Sequence, residues 1–168
     1  MKTTIRIIVI LIILFTFGCQ NETQAKLEAE NIDIVKKYWE AWNSLDIETI
    51  KILYDENTYS FSRTFNNPEP ITYEKNIENT LWNFEYFPDA KVEIIDMIAD
   101  GNKIITMCNW QSTYSKDIEE LPPAEGQIIE SDFFSYIELL NGKIVSEVEI
   151  HDLLKYYTQV GMELKPKE

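Results

Sequence analysis

The chain contains few of the residue types that build metal centres and nucleophilic sites. Its 168 residues include one histidine, His151, and two cysteines, Cys19 and Cys108. Zinc centres need clustered Cys, His or carboxylate ligands at short spacing, and no such spacing occurs, so no metal site is predicted. Cys108 follows Met107 in a strand-like stretch and is predicted to be a small buried apolar residue, since no histidine is placed to activate its thiol.

Motifs for phosphate binding and for ester hydrolysis are also missing. The sequence has neither a glycine-rich phosphate loop nor a Gly-x-Ser-x-Gly nucleophile elbow. Positive charge is scarce, with 15 Lys and Arg against 29 Asp and Glu and a net charge of −14. We therefore expect no binding to nucleic acid, and no electrostatic docking on anionic lipid, because both need clustered basic residues.

The longest hydrophobic run lies at the N-terminus. Lys2 and Arg6 precede Ile7–Phe17, which is shorter than the roughly 20 residues of a membrane-spanning helix, and Gly18-Cys19 follows. The arrangement resembles a bacterial lipoprotein signal, in which the cysteine becomes the lipidated N-terminus. This predicts a protein of the bacterial cell envelope, anchored to the outer membrane or cell surface through a lipid on Cys19. An uncleaved N-terminal anchor is the alternative.

The rest of the chain has the length of one domain. The predicted division is a signal peptide at 1–19, a polar tether at 20–30, a folded domain at 31–162 and a tail at 163–168. No internal repeat interrupts the folded domain.

Helical periodicity dominates the first half of that domain. Asn31 or Asp33 is predicted to cap a first helix, and Asp46 to cap a second. A short strand is predicted over Tyr59–Phe65, followed by a third helix over Thr72–Tyr86.

From residue 88 onward the hydrophobic period is two, which is typical of strands. The predicted strands, with tight turns at Asp100-Gly101-Asn102 and Asn141-Gly142, are Lys91–Ala99, Lys103–Tyr114, Ile128–Leu140 and Lys143–Asp152. Helices followed by an antiparallel meander predict an α+β domain.

The side chains of the last predicted strand alternate between two faces of the sheet. The face predicted to lie against the core carries Ile144, Ser146, Val148, Ile150 and Asp152, and the solvated face carries Lys143, Val145, Glu147, Glu149 and His151. Asp152 would then end a core-facing row, where a carboxylate is costly unless it is paired, solvated or functional. The alternative is that Asp152 only caps a helix beginning at Leu153. His151 could join Asp152 only through a β-bulge, so it is predicted to be a surface residue.

Short motifs along the chain resemble, in order and spacing, the SnoaL-like polyketide cyclases of the nuclear transport factor 2-like superfamily. The matching stretches, which span Asn31–Met162, are Phe87-Pro88-Asp89, Ala99-Asp100-Gly101-Asn102, Ser112-Thr113-Tyr114, Pro122-Pro123, Gly142-Lys143-Ile144 and Gln159-Val160-Gly161. The resemblance implies N-terminal helices packed on a strongly bent antiparallel sheet, a cone-shaped roll with a pocket.

The resemblance also implies site residues. Asp152 stands where these cyclases use an aspartate to move protons during an intramolecular aldol closure that needs no cofactor. Tyr114 stands where the family has a pocket histidine, and its hydroxyl could donate to an oxyanion, although a tyrosine at the pocket rim is the alternative. The aromatic residues expected to line a pocket for a small apolar molecule are Tyr38, Trp42, Phe61, Trp82, Phe87, Trp110 and Phe134.

Two functions remain open at this point. One is an acid/base enzyme of the cyclase or isomerase type acting on a carbonyl compound, with Asp152 as base and Tyr114 as polariser. The other is a non-catalytic ligand-binding or protein-interaction lipoprotein. The resemblance also allows a homodimer.

Overall fold

The computed structural model describes residues 2–64, 69–163 and 165, with side chains described from residue 22 onward. The α+β class is confirmed. The helices are α1 (Lys2–Asn43), α2 (Ile47–Leu53), α3 (Tyr73–Tyr86) and α4 (Leu153–Gln159). The strands are β1 (Ser60–Ser62), β2 (Ile71–Thr72), β3 (Lys91–Asp100), β4 (Lys103–Tyr114), β5 (Gln127–Leu140) and β6 (Lys143–His151).

The strands form one six-stranded sheet in the order β2-β1-β6-β5-β4-β3. The long hairpins β3–β4, β4–β5 and β5–β6 are antiparallel, as predicted. The short strand β1 instead pairs in parallel with β6 and antiparallel with β2, so the sheet is mixed. The two-residue strand β2 was not predicted, and Phe65 at the end of the predicted first strand lies outside the described residues.

Helix α1 begins earlier than the sequence predicts. The segment 20–30, predicted to be a polar tether, is helical and continuous with the rest of α1. Helix α1 makes two contacts with the β3–β4 turn: the Gly101 amide donates to the Glu28 carboxylate at 2.9 Å, and Asn31 Nδ2 donates to the Gly101 carbonyl at 2.9 Å. Among the described residues, no helix combines the length and apolar content that a membrane crossing requires.

The core lies between the helices and the inner face of the sheet. Its fully buried apolar members include Val35 of α1, Ile50 of α2, Ile104 of β4, Ile137 of β5 and Ile144 of β6. Removing such side chains from water is the main favourable contribution to folding.

A β-bulge at Val145 changes which face of β6 points inward. Glu138 of β5 pairs with Ser146, but the next residue, Leu139, pairs with Ile144, so Val145 has no partner on β5. An extra residue in one strand shifts the two-residue alternation by one, and every later side chain changes face.

Glu147, Glu149 and His151 therefore point to the inside of the sheet, and their prediction as a solvated face was wrong. Each stands opposite a buried residue of β5: Glu147 opposite Ile137, Glu149 opposite Ser135 and His151 opposite Phe133.

The outer face of the sheet is partly apolar. Ile150, predicted to face the core, is 43% exposed and pairs with Phe134, which is 51% exposed. Ile98 and Ile105 pair with each other on β3 and β4 and are also exposed. The homodimer that the family resemblance allows stays a prediction.

Candidate functional site

A cavity of about 480 Å³ opens between α1, α3, α4 and the inner face of the sheet. Its apolar wall is largely aromatic and includes Trp39, Trp42, Trp82, Phe87, Trp110 and Phe133. Ring contacts join residues of this wall to other elements, such as Trp42 against Phe84 and Phe87 against Trp110. A cavity of this size and composition suits a small, mostly apolar molecule.

The polar part of the cavity contains a carboxylate–imidazole pair. Glu149 Oε2 lies 2.9 Å from His151 Nε2, and both side chains line the cavity. They are largely enclosed, with 13% of the Glu149 side chain and 20% of the His151 side chain exposed. The imidazole ring also stacks on Phe133, with centroids 4.7 Å apart and planes 9° apart. The carboxylate and Phe133 together hold the ring in one orientation.

This arrangement determines which ring nitrogen is available. With Glu149 ionised, its carboxylate accepts a hydrogen bond from Nε2–H, which leaves the lone pair on Nδ1. Among the described residues no partner for Nδ1 is found. A histidine held in one tautomer by a carboxylate is the usual construction of a general base.

Two further lining residues add polar character. Trp39 is 2% exposed, and its indole Nε1–H has no acceptor among the described residues. Arg63 is the one cationic side chain among the described lining residues, and its guanidinium lies 5.7 Å from the centre of the Phe61 ring. The described lining residues thus include one positive charge, whereas the Nε1–H of Trp39 is enclosed by protein.

Asp152 does not lie where the strand alternation placed it. It follows the end of β6 as the N-cap of α4, where its exposed carboxylate accepts a hydrogen bond from the Lys155 amide at 2.9 Å. The set of described residues that line the cavity does not include it. The bulge at Val145 is the cause, because it moves the even-numbered residues of β6 off the inner face.

Tyr114 is also outside the described cavity wall. Its side chain is fully buried in a second cluster with Phe87 and Val160, so the rim position considered as an alternative was wrong as well. The phenol hydroxyl donates to the Pro122 carbonyl at 2.7 Å and so fastens the link between β4 and β5. The expected pairing of Tyr114 with Asp152 in one site is therefore not what the geometry supports.

The seven aromatic residues predicted to bind ligand separate into two sets. Trp42, Trp82, Phe87 and Trp110 line the cavity. Tyr38 and Phe61 are buried in the core, and Phe134 is exposed on the outer face of the sheet; none of these three described residues is in the cavity wall.

One sequence signal for the missed residues is that the alternating acids at 147 and 149 lead into the only histidine of the chain. Their side chains point inward because of the bulge at Val145, and no glycine or proline in the sequence marks its position. Within the described residues, no cluster of three or more His, Cys, Asp or Glu side chains is placed to hold a metal ion.

Comparisons with known proteins agree with this architecture. The sequence model of the SnoaL-like polyketide cyclase family matches residues 32–160. AclR of Streptomyces galilaeus, described as a hydroxylase, is 16% identical with a TM-score of 0.72, over 83% of this chain and 91% of that chain. IdmH of Streptomyces antibioticus, described as a polyketide cyclase, is 22% identical with a TM-score of 0.68, over 79% and 99%. No curated protein matches this chain.

Helices packed on one face of a mixed sheet, with a cavity between them, define a domain of the nuclear transport factor 2-like class. The family match covers most of the chain. The chain belongs to the SnoaL-like polyketide cyclase family.

Proposed function

We propose that the domain binds a small, largely apolar carbonyl compound and that His151 acts on it as a general base. The observation that carries this proposal is the Glu149–His151 pair, with 2.9 Å between its facing atoms, in the wall of an aromatic cavity. A ligand held there would meet one positioned base, a largely aromatic wall and a few polar side chains such as Arg63 and Asn79. The reaction class is proton abstraction next to a carbonyl, as in cyclase or isomerase chemistry.

The proposed step uses the Nδ1 lone pair of His151. Nδ1 takes a proton from the carbon next to the ligand carbonyl, and the electron pair of that C–H bond forms an enolate whose charge rests on the carbonyl oxygen. The resulting imidazolium is stabilised by Glu149 and returns the proton to carbon. Alternatively, the enolate carbon attacks a second carbonyl in an aldol closure, the electron pair of that C=O π bond moves to its oxygen, and the imidazolium protonates the alkoxide that forms.

Deuterium exchange tests the proposal without knowledge of the natural substrate. The full chain is incubated in D₂O with 2-tetralone, a flat apolar ketone, and deuterium incorporation next to the carbonyl is followed by NMR. We expect acceleration by the wild type and a loss of roughly 10²-fold or more in His151→Gln, since Gln cannot accept the proton. Asp152→Asn should keep the activity, because Asp152 lies outside the cavity wall and Asn also caps helices.

Other outcomes would assign the function differently. If exchange is lost in Asp152→Asn and retained in His151→Gln, the role implied by the family resemblance is correct and the present proposal is wrong. If 2-tetralone quenches the fluorescence of the cavity tryptophans but no variant changes the exchange rate, the domain binds without catalysis.

A further inference from the structure

A second group of polar side chains lies behind the cavity, around Glu147. This carboxyl group is 1% exposed and is not among the described lining residues. One of its oxygens accepts hydrogen bonds from the hydroxyls of Tyr38 at 3.2 Å and Tyr59 at 3.1 Å. The other accepts from Ser135 at 3.0 Å. Three hydroxyls from three different parts of the chain thus converge on one buried acid.

A second layer supports these hydroxyls. The Tyr54 hydroxyl donates to the Tyr38 hydroxyl at 3.0 Å. Asn76 Nδ2 donates to the hydroxyls of Tyr54 at 3.3 Å and Tyr59 at 2.9 Å. Apolar side chains could fill the same volume at little or no cost in stability, so a buried network of this extent requires an explanation other than packing.

The electrostatic surroundings of Glu147 are uniformly uncharged or acidic. Burial and, after it, the charge of Glu149 raise the pKa of Glu147 to about 8, although the hydroxyl donors act in the opposite direction. The other titratable groups that act on this site, all with raised pKa values caused chiefly by burial, are Tyr38, Tyr54, Tyr59 and Cys108. Among the described residues, no lysine or arginine forms an ion pair with Glu147.

Glu147 and the catalytic pair lie in one row. After the bulge, Glu147, Glu149 and His151 occupy alternate positions on the inner face of β6, and two-residue steps along a strand are roughly 7 Å. Glu149 is one step from Glu147 and His151 is two steps away, so the charge of Glu147 acts first on Glu149, the hydrogen-bond partner of the ring. With Glu147 neutral, Glu149 has no like charge one step away.

We propose that Glu147 is a positioning residue that controls the charge of the Glu149–His151 pair while lying outside the cavity. Its hydroxyl network keeps the buried group structurally satisfied in either protonation state, because hydroxyls can donate to a carboxylate or accept from a carboxylic acid. A neutral Glu147 leaves Glu149 without a like charge one step away, so that Glu149 orients the His151 ring through its contact with Nε2. This inference rests on the proposed role of His151, and its test does not require turnover.

The single histidine makes a direct measurement possible. The ring signals of His151 in the full chain, without ligand, are followed by NMR from about pH 5 to 10. We expect two inflections in the wild type: one for His151 itself, and a second, near pH 8, where Glu147 ionises and changes the field at the ring. Glu147→Gln should remove the second inflection, whereas Glu93→Gln, which neutralises an exposed acid on β3, should keep both.

Two more variants separate the possible failures. Glu149→Gln should move the first inflection to lower pH, and an unchanged curve would refute the Glu149–His151 pair and with it the proposed function. Tyr59→Phe removes one donor to the Glu147 carboxylate and should move the second inflection to higher pH; this variant decides the matter if Glu147→Gln does not fold. Three results would overturn the assignment of Glu147 alone. These are a wild-type curve without a second inflection, a second inflection that persists in Glu147→Gln, and a second inflection at the same pH in Tyr59→Phe as in the wild type.

Discussion

At the scale of single residues, the carboxyl group of Glu147 is enclosed by protein and must be neutral or supported by hydrogen bonds. Transfer of an ionised carboxylate out of water costs several kcal/mol even after relaxation. The hydroxyls of Tyr38, Tyr59 and Ser135 offset part of that cost. Burial outweighs them, and the result is a group whose folded state favours the proton.

This makes a prediction about stability and pH. The pKa of Glu147 is about 8 in the folded protein and has the ordinary value of about 4.3 in the unfolded chain. Between these values the folded state binds a proton that the unfolded state has released, so the contribution of Glu147 to stability is complete at low pH and declines as pH rises. The slope at this site is at most about 1.4 kcal/mol per pH unit.

Urea denaturation at a series of pH values measures this effect in the wild type and in Glu147→Gln. The difference between their free energies of unfolding cancels the contribution of other titratable groups. We expect the wild type to lose stability relative to Glu147→Gln as pH rises to about 8. A difference that does not change with pH would show that Glu147 is ionised throughout.

At the scale of secondary structure, the hairpin β5–β6 determines the site. Its turn, Asn141-Gly142, has φ values of 52° and 75°, in the left-handed region that such tight turns require. A few residues later the bulge at Val145 exchanges the two faces of β6. The turn sets the pairing register, and the bulge decides that His151, and not Asp152, enters the cavity wall.

The turn can be tested by substitution. A Cβ on Gly142 would come no closer than 3.9 Å to Ile34, which is an ordinary contact, so any cost arises from the backbone and not from a clash. Gly142→Val should lower the free energy of unfolding by about 1 kcal/mol or more, since β-branched residues resist positive φ. Gly142→Asn, which tolerates this conformation, should cost less. Equal losses in thermal unfolding would contradict a backbone origin.

At the scale of the whole molecule, the chain joins an acidic domain to an apolar N-terminal segment. The net charge of −14 disfavours close contact with anionic lipid, so attachment would depend on the N-terminus. We propose that a lipid on Cys19 anchors the protein in the cell envelope. The side chain of Cys19 lies outside the described part of the structure, and the proposal rests on the sequence around it.

Intact-mass measurement of the membrane fraction tests the anchor. The wild type should carry a lipid adduct and begin at Cys19, because several acyl chains give stable attachment. Cys19→Ser should leave the domain folded and release it from the membrane. An unmodified wild-type chain that retains Met1 would refute the lipoprotein prediction.

Local sequence determined most of the secondary structure of this protein. Period-two alternation located β3 to β6 within one or two residues, and the caps Asp46 and Thr72 begin α2 and α3 close to the predicted positions. These signals are local, because caps, turns and alternation depend on residues a few positions apart. The family resemblance added the packing of helices on a sheet.

Tertiary structure alone decided the site. The bulge at Val145 forms where β6 must satisfy β5 and the parallel strand β1 at once, and no local signal marks it. The hydroxyls that meet Glu147 come from Tyr38 and Tyr59, 109 and 88 residues away in the chain. Alternation assigns a side chain to one of two faces, but only the long-range pairing of strands determines which face is inside. For this reason His151 and Asp152, adjacent in sequence, have exchanged the positions that periodicity predicts.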